Sequence, residues 1–206
     1  MVKDYIDNYF NFDYKAKDID IFIKNNKDLD VSELRNYAYG SYLYFRIYFK
    51  LSLKKYKTNK EKLDFVEKNM DLFSDWWSTD IIGQFLNKNL DFNDHYERAL
   101  RYINSKDLFT RRFAYVLFIN KLASSKENLD KILGLIKNDE EYYVKMAIAW
   151  LLCELCVYHS SEISTYIKTS NLTIEVKRMA INKIRDSFRI DDSVKKDLMK
   201  YREENF

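Results

Sequence analysis

The chain has 206 residues and a formal net charge of +3, with no proline and three glycines. Such a small charge does not by itself indicate a polyanionic partner, and the scarcity of turn residues argues against a protein built on sheets. No apolar run reaches the length of about 18 residues that a membrane span needs, and no cleavable signal sequence is evident. We therefore expect a cytoplasmic protein with no membrane association.

The spacing of apolar residues predicts helices along the whole chain, which places it in the all-α class. The longest helix is expected to begin with Ser32 as its N-cap. In chain order the helices are predicted at about residues 2–10, 16–26, 31–56, 60–70, 74–88, 92–103, 107–123, 127–137, 140–157, 160–169, 172–187 and 191–203.

The densest basic stretch covers residues 50–60, at the end of the longest predicted helix, and contains Lys50, Lys54, Lys55, Lys57 and Lys60. One interpretation is a solvated helix end, because cations are favoured at helix C-termini. The other is a patch that binds phosphate groups. The sequence leaves both open.

Three segments superimpose at an offset of 33 residues, since 147 − 114 = 33 and 180 − 147 = 33: residues 111–114, 144–147 and 177–180. Each has a basic residue two places before an alanine. A fixed period of this size predicts stacked helical pairs, because each unit needs a neighbour to bury its apolar face. We expect a single domain over residues 1–206, a curved array of antiparallel helix pairs whose repeats are clearest over 74–187. The helices of residues 1–56 would cap the array or cradle a ligand.

Cys153, Cys156 and His159 would lie along one side of a helix, so a metal site is conceivable. A structural zinc site needs four ligands, and the chain has no second cysteine pair. The motif also lies in an apolar run, so we predict that both thiols are reduced and packed in the core, with no metal bound. His95 has no acid–base partner nearby in sequence and is expected at the surface.

The remaining candidates lie where three successive predicted helices start. Trp76 and Asp80 would share a helix face because they are four residues apart. Phe109-Thr110-Arg111-Arg112 and the segment from Glu141 to Trp150 begin the next two. The tryptophans could equally be core residues. Asp80 in an apolar helix needs a partner, which Arg112 could provide.

These residues resemble those of the DNA alkylation repair family, the AlkD-type DNA glycosylases built from HEAT-like repeats. The family has a tryptophan four residues before an aspartate, then an Arg-Arg pair, then two aromatics, a lysine and a tryptophan. The matching residues here are Trp76 and Asp80, then Arg111 and Arg112, then Tyr142, Tyr143, Lys145 and Trp150. The resemblance covers about residues 30–190. The chain departs from it at Phe109-Thr110, where the family often has tryptophan, and at Cys153, where it often has arginine.

The resemblance implies a HEAT-like α-α superhelix and a monomeric glycosylase without metal or organic cofactor. The enzyme would hydrolyse the N-glycosidic bond of cationic N3- or N7-alkylated purines in double-stranded DNA. Asp80 would stabilise positive charge on the deoxyribose, and Trp76 and Trp150 would pack against the sugar. Arg112 would anchor a phosphate or fix Asp80. The residues implied to contact the DNA are Arg111, Lys145, Arg178, Trp77, Tyr142 and Tyr143.

A different class of function is also compatible with the repeats. A non-catalytic HEAT-like module could bind DNA, or a protein partner, through the same concave face. Asp80 separates the hypotheses, because a pure binder of polyanions gains nothing from a carboxylate in its groove.

Overall fold

The computed structural model describes residues 1–86 and 90–206, and thirteen α-helices account for most of them. These two ranges contain no strand, so the prediction of an all-α chain is confirmed. Among the described helices, none combines the length and apolar character that a bilayer crossing would require. The end of the helix predicted at 74–88 falls at residues 87 and 88, outside the described residues.

The chain divides into two compact units, an N-terminal unit, Met1–Asn89, and a C-terminal unit, Leu90–Phe206. In the N-terminal unit, α4 packs against α2, α3 and α6. Phe45 and Phe49 on α4 are fully buried, with ring centroids 4.4 Å apart, and form the centre of the core. The helices of this unit are α1 (Val2–Tyr9), α2 (Ala16–Asn25), α3 (Arg35–Ala38), α4 (Tyr42–Leu53), α5 (Asn59–Glu67) and α6 (Trp76–Phe85).

The prediction of one long helix over 31–56 is wrong, because the chain breaks at Gly40. Gly40 has a φ of +72°, a left-handed conformation that ends α3. Ser41 then caps α4, with its side chain accepting a hydrogen bond from the Tyr44 amide. Ser32 is not an N-cap either: it lies inside a 3₁₀ turn whose N-cap is Val31.

Replacing Gly40 by alanine should destabilise the N-terminal unit by about 1 kcal/mol. A Cβ at this position would meet nothing within 4 Å, so the whole cost comes from the left-handed backbone. Chemical denaturation of Gly40→Ala measures this loss of stability. Gly134→Ala is the control, because its Cβ also enters open space but at a helical position. We expect Gly134→Ala to be neutral or stabilising. An equal loss of stability in Gly40→Ala and Gly134→Ala would contradict the explanation by the left-handed backbone.

A partly buried ion pair joins α2 to α4. Arg46 donates from Nε and Nη2 to the two carboxylate oxygens of Asp20, at 3.0 and 2.9 Å, and Lys50 Nζ lies 2.8 Å from Asp20 Oδ1. Burial acts to raise the pKa of Asp20, but the hydrogen bonds and charges of the two cations bring that pKa below its usual value. Lys50, the first residue of the basic stretch 50–60, therefore has a structural partner.

The C-terminal unit forms two helix layers, one of α8, α10 and α12 and the other of α7, α9, α11 and α13. α10 packs against both α8 and α12, and the three alanines of the 33-residue repeat, Ala114, Ala147 and Ala180, are fully buried. The helices are α7 (Phe92–Tyr102), α8 (Leu108–Val116), α9 (Lys126–Leu135), α10 (Tyr142–Tyr158), α11 (Ser160–Thr169), α12 (Ile174–Asp186) and α13 (Asp192–Asn205). The repeat in the sequence therefore corresponds to a repeat in the packing.

The helix predicted over 107–123 is too long, because α8 ends at Val116. Asn120 competes with the helix for backbone groups: its Nδ2 donates to the Leu117 carbonyl and its Oδ1 accepts from the Leu122 amide. The following residues form a separate 3₁₀ turn, 121–124.

Core packing of the cysteine motif is confirmed, since Cys153, Cys156 and His159 are all buried. Burial raises the pKa of both thiols, that of Cys156 to about 12. His159 Nε2 lies 3.0 Å from the Ala123 carbonyl oxygen. The expectation that His95 is at the surface is wrong: it is fully buried on α7, and burial lowers its pKa.

Candidate functional site

Two adjacent tryptophans in the first turn of α6, in the N-terminal unit, lie in different environments. Asp75 caps the helix, its Oδ1 accepting a hydrogen bond from the Trp76 amide at 2.7 Å. Trp77 packs edge-on against Tyr42 and Phe45, with ring centroids at 5.4 and 5.3 Å. Trp76 is instead 45% exposed. Trp77 therefore holds the helix to the core, and Trp76 presents its ring to solvent.

Asp80 lies one helical turn after Trp76 and is half-buried. The buried hydroxyl of Thr79 lies 3.2 Å from Asp80 Oδ1 and 2.9 Å from the Trp76 carbonyl oxygen. A helix places residues four apart on one side, so the exposed indole and the carboxylate share a face of α6. Both groups stabilise positive charge, the carboxylate by direct attraction and the ring by its quadrupole.

The starts of α8, α10 and α12 lie side by side in the C-terminal unit. Arg111 Nε, in the first turn of α8, lies 2.7 Å from Asp139 Oδ2, just before α10. Lys145 Nζ, in the first turn of α10, lies 2.7 Å from Glu175 Oε2, in the first turn of α12. Contacts between successive helix starts mean that the three helices run parallel, with the positive ends of their dipoles on one edge.

The three equivalent cations of the repeat, Arg112, Lys145 and Arg178, each bond to a residue further along the chain. Arg112 is buried, and its Nη1 donates to the Tyr143 carbonyl at 2.7 Å. Lys145 pairs with Glu175, and Arg178 donates to the carbonyl of Phe206. These bonds link α8 to α10, α10 to α12 and α12 to Phe206.

Arg111 and Asp139 form a bidentate ion pair beside these cations. The guanidinium bonds to both carboxylate oxygens, at 2.7 and 3.2 Å. That hydrogen bonding raises the pKa of Arg111. For Asp139, burial acts to raise the pKa, but the bonds from Arg111 and from the Glu141 amide bring it below its usual value.

Aromatic side chains lie on the same helices as these cations, α8 and α10. Tyr142 is 55% exposed and lies edge-on to Tyr143, with ring centroids 5.4 Å apart. Phe109, where the sequence departs from the family pattern, is 6.0 Å from the Tyr143 ring. Trp150 is half-buried two turns further along α10. Rings beside basic groups can stack on bases or sugars while the cations contact phosphates.

The structure brings eight of the ten predicted residues together in two groups, and Trp150 and Arg178 lie further along α10 and α12. Trp76, Trp77 and Asp80 share the start of α6, and the C-terminal unit holds a second group of Arg111, Arg112, Tyr142, Tyr143 and Lys145. Sequence reasoning missed Thr79, Asp139 and Glu175. Asp139 and Glu175 could have been found from their spacing. They lie 28 and 30 residues after Arg111 and Lys145, which is close to the 33-residue period.

The chain matches a family model described as "DNA alkylation repair enzyme" over residues 26–189. The matched range includes all ten candidate residues. Comparison with curated proteins and with solved structures finds no match. The family match covers most of the chain and confirms the resemblance seen in its motifs. The chain therefore belongs to the DNA alkylation repair enzyme family.

Proposed function

We propose that this repair enzyme hydrolyses the N-glycosidic bond of cationic N3- or N7-alkylated purines in duplex DNA. The observation that carries the proposal is the pairing of the exposed Trp76 ring with the Asp80 carboxylate, one turn apart on α6. An exposed tryptophan beside a half-buried carboxylate is not explained by core packing. Both groups suit a reaction that develops positive charge.

Alkylation at N3 or N7 leaves the purine positively charged, which makes it a good leaving group. The bond from the base to the deoxyribose breaks with its electron pair moving to the base, so positive charge moves to the sugar. The Asp80 carboxylate stabilises that charge and orients a water molecule. The water oxygen then bonds to the anomeric carbon and loses a proton. The reaction balances without an oxidant, a reductant or an organic cofactor.

We propose different roles for the three tryptophans. Trp76 and Trp150 would place electron-rich faces against the sugar, where cation–π attraction grows as charge develops. Trp77 packs on Tyr42 and Phe45, so its part in DNA binding would be to hold the start of α6 in place.

The C-terminal unit would supply the contacts to the DNA backbone. Phosphate contacts position a protein on the duplex without reading sequence. Arg112 would anchor a phosphate, and Tyr142 and Tyr143 would contact sugars or bases. Further along the backbone, Arg111, Lys145 and Arg178 would follow the phosphates. We propose that a single copy of the chain acts on each lesion.

Incubating the purified protein with methylated duplex DNA and analysing the released bases by chromatography tests the proposal. We expect free 7-methylguanine or 3-methyladenine to accumulate above the rate of spontaneous release. Duplex binding with no release would identify a non-catalytic DNA-binding module instead. Neither binding nor release would favour a protein-binding scaffold.

A further inference from the structure

We propose that Glu175 is a built-in competitor of the DNA backbone, because its carboxylate occupies the position on Lys145 that a phosphate would take. Glu175 would thereby weaken the binding of undamaged DNA. This inference rests on the proposed function in one respect, the assignment of Lys145 as a backbone contact.

The geometry of the pair makes the carboxylate the displaceable partner. Lys145 Nζ lies 2.7 Å from Glu175 Oε2, a charge-assisted hydrogen bond of the length that an ammonium also makes to a phosphate oxygen. The Lys145 side chain is 12% exposed, whereas that of Glu175 is 50% exposed. The glutamate can therefore turn into solvent, while the lysine stays against the helix starts.

The neighbouring pair of Arg111 and Asp139 contains a carboxylate that is held in place more firmly. Asp139 is only 14% exposed, bonds to Arg111 through both oxygens and accepts a further hydrogen bond from the Glu141 amide. Glu175 bonds to Lys145 through one oxygen, and among the described residues its side chain makes no second hydrogen bond or ion pair. Of the two carboxylates, Glu175 is therefore the one that a phosphate can replace.

Neutralising Glu175 should make a phosphate contact easier to form, for two reasons. Lys145 would no longer have to leave an ion partner, and a negative charge beside the incoming backbone would be removed. Each additional neutralised phosphate steepens the dependence of log binding constant on log salt by about 0.9 for B-DNA. A partly exposed ion pair of ordinary strength corresponds to an affinity change of about three- to fivefold.

The experiment measures binding of an undamaged duplex by Glu175→Gln at several salt concentrations. The matched control is Glu162→Gln, which removes the same charge from an ion pair with Lys126 in the other helix layer. We expect Glu175→Gln to bind about three- to fivefold more tightly with a steeper salt slope, and Glu162→Gln to match the parent. Unchanged binding by Glu175→Gln, or an equal gain in both variants, would overturn the inference.

A double variant links any gain to Lys145 itself. In a Lys145→Gln background Glu175→Gln should give a clearly smaller gain, because only the removal of a negative charge then contributes; a full gain there would overturn the inference. Measurements on the parent protein distinguish failure of the inference about Glu175 from failure of the proposed function. If the parent releases alkylated bases while Glu175→Gln binds like the parent, only the inference about Glu175 is wrong. If the parent neither binds duplex DNA nor releases bases, the proposed function is wrong as well.

Discussion

Replacing Asp80 by asparagine should lower the rate of 7-methylguanine release by about 10²- to 10³-fold, the usual cost of removing one group that stabilises charge in a transition state. Asparagine keeps the shape of the side chain but not its charge, and it cannot stabilise a cationic sugar in the same way. Duplex binding should be largely kept, because a carboxylate does not attract phosphates. Single-turnover release and duplex titration measure the two effects separately.

Asp75→Asn is the matched control for this experiment. Asp75 lies five residues earlier and caps α6, and asparagine caps helices as well as aspartate does. The control should therefore release bases at the parental rate and keep the start of α6. Equal release by Asp80→Asn and the parent would remove Asp80 from the mechanism, and an equal loss in both variants would point to the helix start instead.

Replacing Asp20 by asparagine should lower the free energy of unfolding by about 2 to 3 kcal/mol near neutral pH. Removing one partner of a buried ion pair costs about 3 to 5 kcal/mol, and we reduce that figure because the Asp20 side chain is 37% exposed to water. The variant leaves Arg46, only 8% exposed, without its bidentate partner. Urea unfolding measures the change.

The pH dependence of this effect follows from the lowered pKa of Asp20. A group whose pKa is lower in the folded state stabilises the fold above its unfolded pKa, about 3.9 for aspartate. The stabilisation is lost as the pH falls through the pKa of Asp20 in the folded state. The difference between parent and variant should therefore be full at neutral pH and shrink below about pH 4. Asp186→Asn, which breaks an exposed pair with Arg185, should change stability little at any pH.

The repeat was predictable from the sequence, whereas the breaks within it were not. Alanines at 33-residue spacing indicate close helix contacts at equivalent positions, and Ala114, Ala147 and Ala180 are buried as that pattern requires. The interruption at Gly40 depends on one residue adopting a left-handed conformation. Apolar periodicity continues across such a break, so the pattern alone predicts an unbroken helix.

The chemistry of the candidate site was only partly predictable, for a related reason. Helical spacing placed Trp76 and Asp80 on one face, but it could not show which of two adjacent indoles packs inward. That choice depends on Tyr42 and Phe45, more than thirty residues away in sequence. The partners of Arg111 and Lys145 are 28 and 30 residues away, since Asp139 and Glu175 belong to the repeats that follow.

The buried cysteines matter for a protein that works where DNA is being alkylated. Electrophiles that damage purines also attack thiolates, and a thiol with a pKa of about 12 is almost entirely protonated at neutral pH. Cys153 and Cys156 lie on the buried side of α10, and burial raises the pKa of both thiols. We therefore expect alkylating agents to modify these two cysteines slowly in the folded protein.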